Sequence, residues 1–252
     1  MRVYWQPGCS SCLRTREFLD AHGIPFVSVN VRAYPGAEAE LAALGVRTVP
    51  VVARGREYVL AQDVDELARF VGVALERRRL PPDELVARLQ ALLAASESWL
   101  MAMPVGRLHQ RLPQRERTWL DLGFHVSMIV QGLLTAGTGG ELAYETYERR
   151  VPASWTDATP AVEFSRATRR ALDAWWREAR QRHGVPVRTY FGDSTVEVLL
   201  ERSAWHVAQH CRQLEHLLRE VAGVAAAPAL PAALLEGLPL PAGVWDPEVL
   251  PA

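Results

Sequence analysis

The chain reads as two folds in series: a small α/β sheet domain over residues 1–75, then an all-helical bundle over residues 83–222. Three observations predict this. Short β-rich runs alternate with short helical runs as far as about residue 75. From Asp83 on, the hydrophobic period becomes helical and stays so through four long segments. Between the two regions lies Arg77-Arg78-Arg79-Leu80-Pro81-Pro82, whose charge and proline content assign residues 76–82 to a linker.

Val3-Tyr4-Trp5 reads as a short strand, and Ser11 to Ala21 as a helix that Gly23 and Pro25 end. Phe26 to Val31 is β-rich, residues 37–44 form a short Ala/Leu/Glu helix, and Val49 to Val52 is a third strand. Gly55-Arg56 turns the chain into a fourth strand, Tyr58 to Leu60, and Asp63 caps a last helix through Phe70. The helical half divides into 83–102, 114–136, 159–183 and 193–222, with breaks at Pro104, Gly106 and Pro113, at Gly137, Gly139 and Gly140, and at Gly184 and Pro186. No strand is needed there, so four helices imply a bundle. Residues 140–158 are a long connection, a crossover or a lid. The tail, 223–252, is rich in Pro, Ala and Leu. It is expected to be extended and to lie along the bundle through Leu240 and Trp245.

Composition narrows the function classes. A 49% hydrophobic chain of 252 residues can bury real cores, and a net charge of −1 leaves no electrostatic footprint for nucleic acid. All 28 basic residues are arginine, which excludes a Schiff-base lysine and a phosphate-binding P-loop lysine. Three cysteines do not make a secreted disulfide framework. No basic segment followed by an apolar run opens the chain, and the apolar stretch from Val221 to Leu235 is broken by Pro228 and Pro231. A cytoplasmic protein with neither a nucleic-acid nor a membrane partner is expected.

Two motifs carry chemistry. The first is Cys9-Ser10-Ser11-Cys12, after a strand and Pro7-Gly8. It places Cys9 at a helix N-terminus, where unpaired N–H groups and the helix dipole stabilise a thiolate. Cys12, one turn on, can then attack a mixed disulfide on Cys9. A zinc site would need two further ligands, and no second Cys-x-x-Cys follows. Through Tyr4 to Cys12, the helix after it and Thr48-Val49-Pro50, the first 75 residues resemble a glutaredoxin, a thioredoxin-fold thiol oxidoreductase. The resemblance implies a cis proline at Pro50, with Thr48, Val49 and Pro50 pairing with the backbone of a thiol substrate. It also implies that Asp63 lies near a glutathione-type ligand. Two positions depart from the family pattern. Gln6 stands where a basic residue is common, and Ala61-Gln62 where a glycine pair is common. The partner is therefore left open between glutathione, another small-molecule thiol and a protein disulfide.

The second motif is His206-Val207-Ala208-Gln209-His210, two imidazoles at i and i+4 on one helix face. Leu199, Gln213 and Leu217 share that face, so it points into the bundle. His125 lies among Leu122, Met128 and Ile129 and points inward too. Three such histidines can make a three-nitrogen metal site with open positions, or can be satisfied core residues. His22, His109 and His183 fall at helix ends or loops. Cys211, next to a candidate ligand, points about 100° away from it and is assigned to packing. Glu97 and Glu201 are base candidates by location only and read as solvated helix residues.

Residues 83–222 resemble the DinB-like four-helix bundle superfamily. The stretch Leu199 to Leu214 is similar to its His-x-x-x-His-x-x-Gln-Leu helix, Tyr190-Phe191-Gly192-Asp193 to the approach to that helix, and His125 to the lone histidine of its second helix. The resemblance implies a divalent metal, zinc or nickel, on His125, His206 and His210. It also implies a low-molecular-weight thiol as cofactor or nucleophile in transferase or isomerase reactions, and allows a homodimer. The combined expectation is a thiol–disulfide oxidoreductase domain coupled to a metal-dependent thiol transferase. The alternatives are a redox-sensing metal-binding protein, and a disulfide reductase whose bundle binds a client protein.

Overall fold

A computed structural model describes residues 1–113, 115–180 and 184–247. The expectations for residue 114, for 181–183 with His183, and for 248–252 lie outside the described residues. The chain forms two compact units. Among the described residues the first is 1–78 with 239–247, and the second is 79–238.

In the first unit, β1 (Arg2–Trp5), α1 (Ser10–Ala21), β2 (Val27–Asn30), α2 (Ala37–Ala43), β3 (Val51–Arg54), β4 (Glu57–Val59) and α3 (Val64–Val71) follow in order. The sheet order is β2-β1-β3-β4. β1 runs parallel to β2 across the α1 crossover, and antiparallel to β3. Strand alternation divides the core between two faces. Tyr4, Val51 and Ala53 pack with Ala37 and Leu41 of α2. Val3, Val52 and Val59 pack with Leu19 of α1 and Leu67 of α3. This is a small sheet-and-helix unit consistent with the thioredoxin-like expectation. The expected elements are all present, with ends shifted by one or two residues.

The second unit is mostly helical. It contains α4 (Pro82–Ala102), the single turn α5 (Val105–Leu108), α6 (Trp119–Gly137), β5 (Glu141–Leu142), a 3₁₀ turn at Tyr144–Tyr147, α7 (Thr159–Ala179), β6 (Pro186–Thr189), β7 (Gly192–Thr195) and α8 (Val196–His216). α4 and α6 each pack against both α7 and α8, so four long helices close a ring around a shared core among the described residues. α6 is buried along nearly its whole length.

Three expectations need correction. The helical half does contain strands: β5, β6 and β7 form a sheet. Val187 and Thr189 are buried while Pro186 and Arg188 are exposed, a period of two that makes a strand of the break expected at Gly184 and Pro186. Thr189 Oγ1 donates to the Gly192 carbonyl at 2.6 Å and closes the hairpin, with Gly192 at φ +109°. α8 therefore starts at Val196, capped by Thr195, rather than at residue 193. Likewise α6 starts at Trp119 rather than residue 114. Thr118 and Asp121 form a reciprocal capping box there.

The tail is the third. Its first part does follow the helices: Trp99 donates to the Pro228 carbonyl at 2.8 Å, and Leu230 N–H to Glu215 at 2.9 Å. From Pro239 on, however, including Leu240 and Trp245, it belongs to the first unit. Glu17 on α1 accepts the N–H groups of Ala242 and Gly243. Arg16 pairs with the buried Asp246 at 2.6 Å while lying 3.7 Å over the Trp5 ring. An acidic and a basic residue side by side on α1 thus hold a segment that composition alone left unplaced.

Candidate dithiol and histidine sites

Cys9 is the N-cap of α1, in extended conformation, and Gly8 before it has φ +69°. Its sulfur accepts the Cys12 N–H at 3.2 Å, using one of the amides a helix start leaves unpaired. Cys9 and Cys12 are joined as a disulfide, their Cα atoms 5.2 Å apart. Cys9 is half-buried, while Cys12 is fully buried beneath it. An incoming thiol or disulfide can therefore reach Cys9, and Cys12 is placed to resolve.

Thr48 and Val49 are half-buried, Pro50 is buried, and the Val49–Pro50 peptide is cis. Val51, the next residue, pairs with Tyr4. Because β1 and β3 are antiparallel, Thr48-Val49-Pro50 and the Cys9 loop lie at the same end of neighbouring strands. Asp63 caps α3, accepting the Asp65 N–H at 3.0 Å. The two residues before it are tied to α1. Ser11 donates to Gln62 at 3.3 Å, and the buried Arg14 donates to the Ala61 and Gln62 carbonyls, each at 3.0 Å. Ala61 sits at φ +47°, the left-handed region that glycine enters most easily. The chain keeps that backbone shape without a glycine.

In the second unit α6 supplies His125 and α8 supplies His206 and His210. All three are buried, and a nitrogen from each lies within 4.8 Å of the others. The convergence follows from the sequence pattern: i and i+4 stack on α8, and the apolar face of α6 turns its histidine toward them. His206 Nε2 and His210 Nε2 are 3.1 Å apart. Two imidazoles sharing a tetrahedral ion at the usual zinc–nitrogen length would be separated by about 3.3 Å, so the pair fits a common ion. The same two nitrogens can instead share one hydrogen bond. On the far side of His210, Nδ1 contacts Gln213 Oε1 at 2.7 Å. With that carbonyl accepting, the proton sits on Nδ1 and the Nε2 lone pair faces the site, as ligand histidines require.

Burial, then the charge of Arg117, pushes His210 down to about 3 and holds His125 well below its ordinary value. Both rings are therefore neutral at neutral pH, as ligand histidines must be. Arg117 was not visible in the sequence as a site residue. It is buried, and its Nη2 lies 3.2 Å from His125 Nδ1 and donates to the Tyr147 carbonyl at 3.0 Å. Tyr147 itself walls the site, its ring edge-on to His125 and His206 with centroids at 5.7 and 5.8 Å. Behind it the buried Arg202 donates to the hydroxyls of Tyr147 and Tyr190, at 3.0 and 2.8 Å. Arg202 lies four residues before His206, so a reader of the α8 stripe could have found it. The connection 140–158 contributes Tyr147.

Glu97 and Glu201 are buried and paired rather than solvated. Glu97 accepts from Ser165 at 3.0 Å, and Glu201 pairs with Arg79 at 3.0 Å. Cys211 is buried with its thiol toward the Leu92 carbonyl, and burial pushes that thiol up. His22 and His109 are exposed.

Comparison with known proteins bears on the first unit. The Glutaredoxin family model matches residues 2–59, which span the dithiol, the cis proline and the four-stranded sheet. No curated protein matches the chain, and no solved structure does. Residues 2–59 are thus similar to glutaredoxins, which supports thiol–disulfide oxidoreductase chemistry, and the chain continues in a mostly helical remainder.

Proposed function

We propose that the protein couples a thiol–disulfide oxidoreductase to a divalent-metal unit that uses a low-molecular-weight thiol in transferase-type reactions. The observation that carries the second half is the convergence of His125, His206 and His210 in a buried cluster whose His210 ring Gln213 orients. The helix order and the placement of these histidines support a DinB-like reading of the helical unit. Among candidate ions zinc and nickel suit three imidazole nitrogens.

In the first unit the Cys9 thiolate attacks one sulfur of a mixed disulfide and the other sulfur leaves as a free thiolate. Cys12 then displaces the thiol held on Cys9, and the Cys9–Cys12 disulfide forms. An external thiol reductant of the cytoplasm resets it. Thr48, Val49 and Pro50 position the substrate backbone, and Asp63 faces its polar end. In the second unit His125, His206 and His210 would hold the ion, whose Lewis acidity keeps a bound thiol in its thiolate form. Tyr147 closes the wall and limits water. The oxidoreductase returns the small thiol from its disulfide to the free form that this chemistry consumes.

The deciding experiment is metal analysis of untagged protein, wild type beside His206→Ala/His210→Ala. One ion per chain, absent from the variant, is expected, together with metal-dependent displacement of chloride from a chloroarene electrophile by a small thiol. A wild-type protein that takes up neither zinc nor nickel on reconstitution makes the histidines a hydrogen-bonded core cluster and ends the transferase reading.

A further inference from the structure

The contact between Arg117 and His125 has a chemical consequence. A guanidinium has only donors, so Arg117 Nη2 at 3.2 Å requires a lone pair on His125 Nδ1. A neutral imidazole has one such lone pair. If Nδ1 accepts from Arg117, Nε2 carries the proton and cannot bind an ion. If Nε2 binds an ion, Nδ1 carries the proton, and two donors oppose each other. Arg117 and a metal ion therefore compete for His125.

Displaced from His125, Arg117 stays buried. Its Nη2 keeps the Tyr147 carbonyl, and its Nε is already buried with no partner. Nε and Nη2 lie on the same edge of the guanidinium, the edge that meets a carboxylate with two parallel hydrogen bonds. The surroundings add positive charge. Arg115 and Arg150 lie close enough to help burial push Arg117 down to about 9, which still leaves it charged at neutral pH. Asp121, an acid whose charge acts on Arg117, has its hydrogen bonds committed elsewhere: it accepts from Thr118 N–H and hydroxyl and from Val151 N–H. A dication on three neutral imidazoles beside this guanidinium would leave buried positive charge in excess even with Asp121 nearby. The balance has to come from the ligand.

We infer that Arg117 is the recognition group for a carboxylate on the thiol that enters the histidine site, so that the ligand class is a small thiol carrying a carboxylate within a few bonds of its sulfur. This rests on the proposed metal–thiol reading. The sulfur, as thiolate, answers the ion. The carboxylate takes the Nε/Nη2 edge that His125 gives up, and the two anionic groups together offset the charge of the ion and of Arg117.

The test uses full-length protein loaded with cobalt(II), a spectroscopic stand-in for zinc. Thiolate-to-metal charge-transfer absorption is titrated with mercaptoacetate, with 2-mercaptoethanol and with acetate as thiol-free control. Wild type is expected to bind mercaptoacetate about tenfold or more tightly than 2-mercaptoethanol, the size of a charge-assisted hydrogen-bond pair. In Arg117→Gln, which keeps a donor for the Tyr147 carbonyl, and in Arg117→Met, that preference should vanish while 2-mercaptoethanol still binds. With the competitor for His125 removed, both variants should also take up cobalt alone more tightly than wild type. A structural role for Arg117 predicts the reverse. Equal affinity of wild type for the two thiols, or a preference that survives both substitutions, overturns the assignment of Arg117 and leaves the metal–thiol reading standing. Absence of cobalt uptake, or of a thiolate band with either thiol, overturns that reading and this inference with it.

Discussion

In the proposed exchange the two cysteines divide the work by exposure, since Cys9 can be reached from solvent and Cys12 cannot. Cys9→Ser should therefore abolish reduction of a small mixed disulfide. Cys12→Ser should still be attacked at Cys9 and accumulate as a stable adduct, visible as a mass increase equal to the thiol added. An adduct on Cys12 in the Cys9 variant would reverse the roles. In the helical unit the most informative single atom is Gln213 Oε1. Its 2.7 Å contact selects the His210 tautomer that presents Nε2 to the site. Loss of such an orienting group costs metal sites about 10–100-fold in affinity. Gln213→Leu should show that drop in competition with a chromophoric chelator, and an unchanged affinity would make Gln213 a packing residue. The residue types of these sites were legible in the chain because their spacing carries the geometry: Cys-x-x-Cys at a helix start, His-x-x-x-His on one helix face. Arg117 was not legible. It comes from a loop eight residues before His125, outside α6, and only the folded backbone brings its guanidinium to the ring.

At the level of elements, α6 decides how well the site is built, because it carries His125 and is buried among the other long helices. Its first turn is fixed by the capping box, in which Thr118 and Asp121 satisfy each other's backbone N–H groups. Thr118→Ala should cost about 1 kcal/mol, as cap losses generally do. Asp121→Ala should cost more, because Asp121 also holds the Val151 N–H of the connection that carries Tyr147. Denaturant unfolding compares the two, and equal losses would show that the Val151 bond adds nothing. Further along, Gly132 leaves room for its neighbours: a Cβ there would stand 2.5 Å from Leu142 and 3.3 Å from Tyr147. Gly132→Ala should overpack this face at a cost of about 1–3 kcal/mol and displace Tyr147 from the histidines. Its metal affinity should fall along with its stability. The long elements were readable because their hydrophobic period repeats for several turns or across a whole strand. The β6–β7 hairpin was not. Each of its strands is four residues long, and the second runs straight into the cap of α8, so a local pattern there blends into the helix that follows.

The whole chain is two compact units, but it is not divided at a single point along the sequence. Residues 224–238 stay with the helical unit, whereas the segment from Pro239 returns to the glutaredoxin unit. Proline and alanine content foretold an extended tail. It could not say which surface the tail would cover, because that depends on Glu17 and Arg16 lying one after the other on α1, where either reads as an ordinary solvated charge. In the fold both are committed, Glu17 to two tail amides and Arg16 to Asp246 and the Trp5 face. Trp245 is buried by the same docking. The tail thus acts as an added layer of the smaller unit. Its removal should lower the stability of that unit alone, by about 2–3 kcal/mol for one buried tryptophan lost from a site near the surface. In a domain of this size that is a fall of about 10 °C in Tm. Ending the chain after Leu238 tests this by calorimetry on metal-loaded protein. The dithiol unit should melt earlier, while the transition that responds to chelator and the metal content should stay in place. With Glu17 and Arg16 holding the tail and Trp245 its buried anchor, Trp245→Ala in the full-length chain should reproduce most of the shift. A truncated protein whose dithiol unit melts unchanged would mean that the docked segment contributes no stability to it.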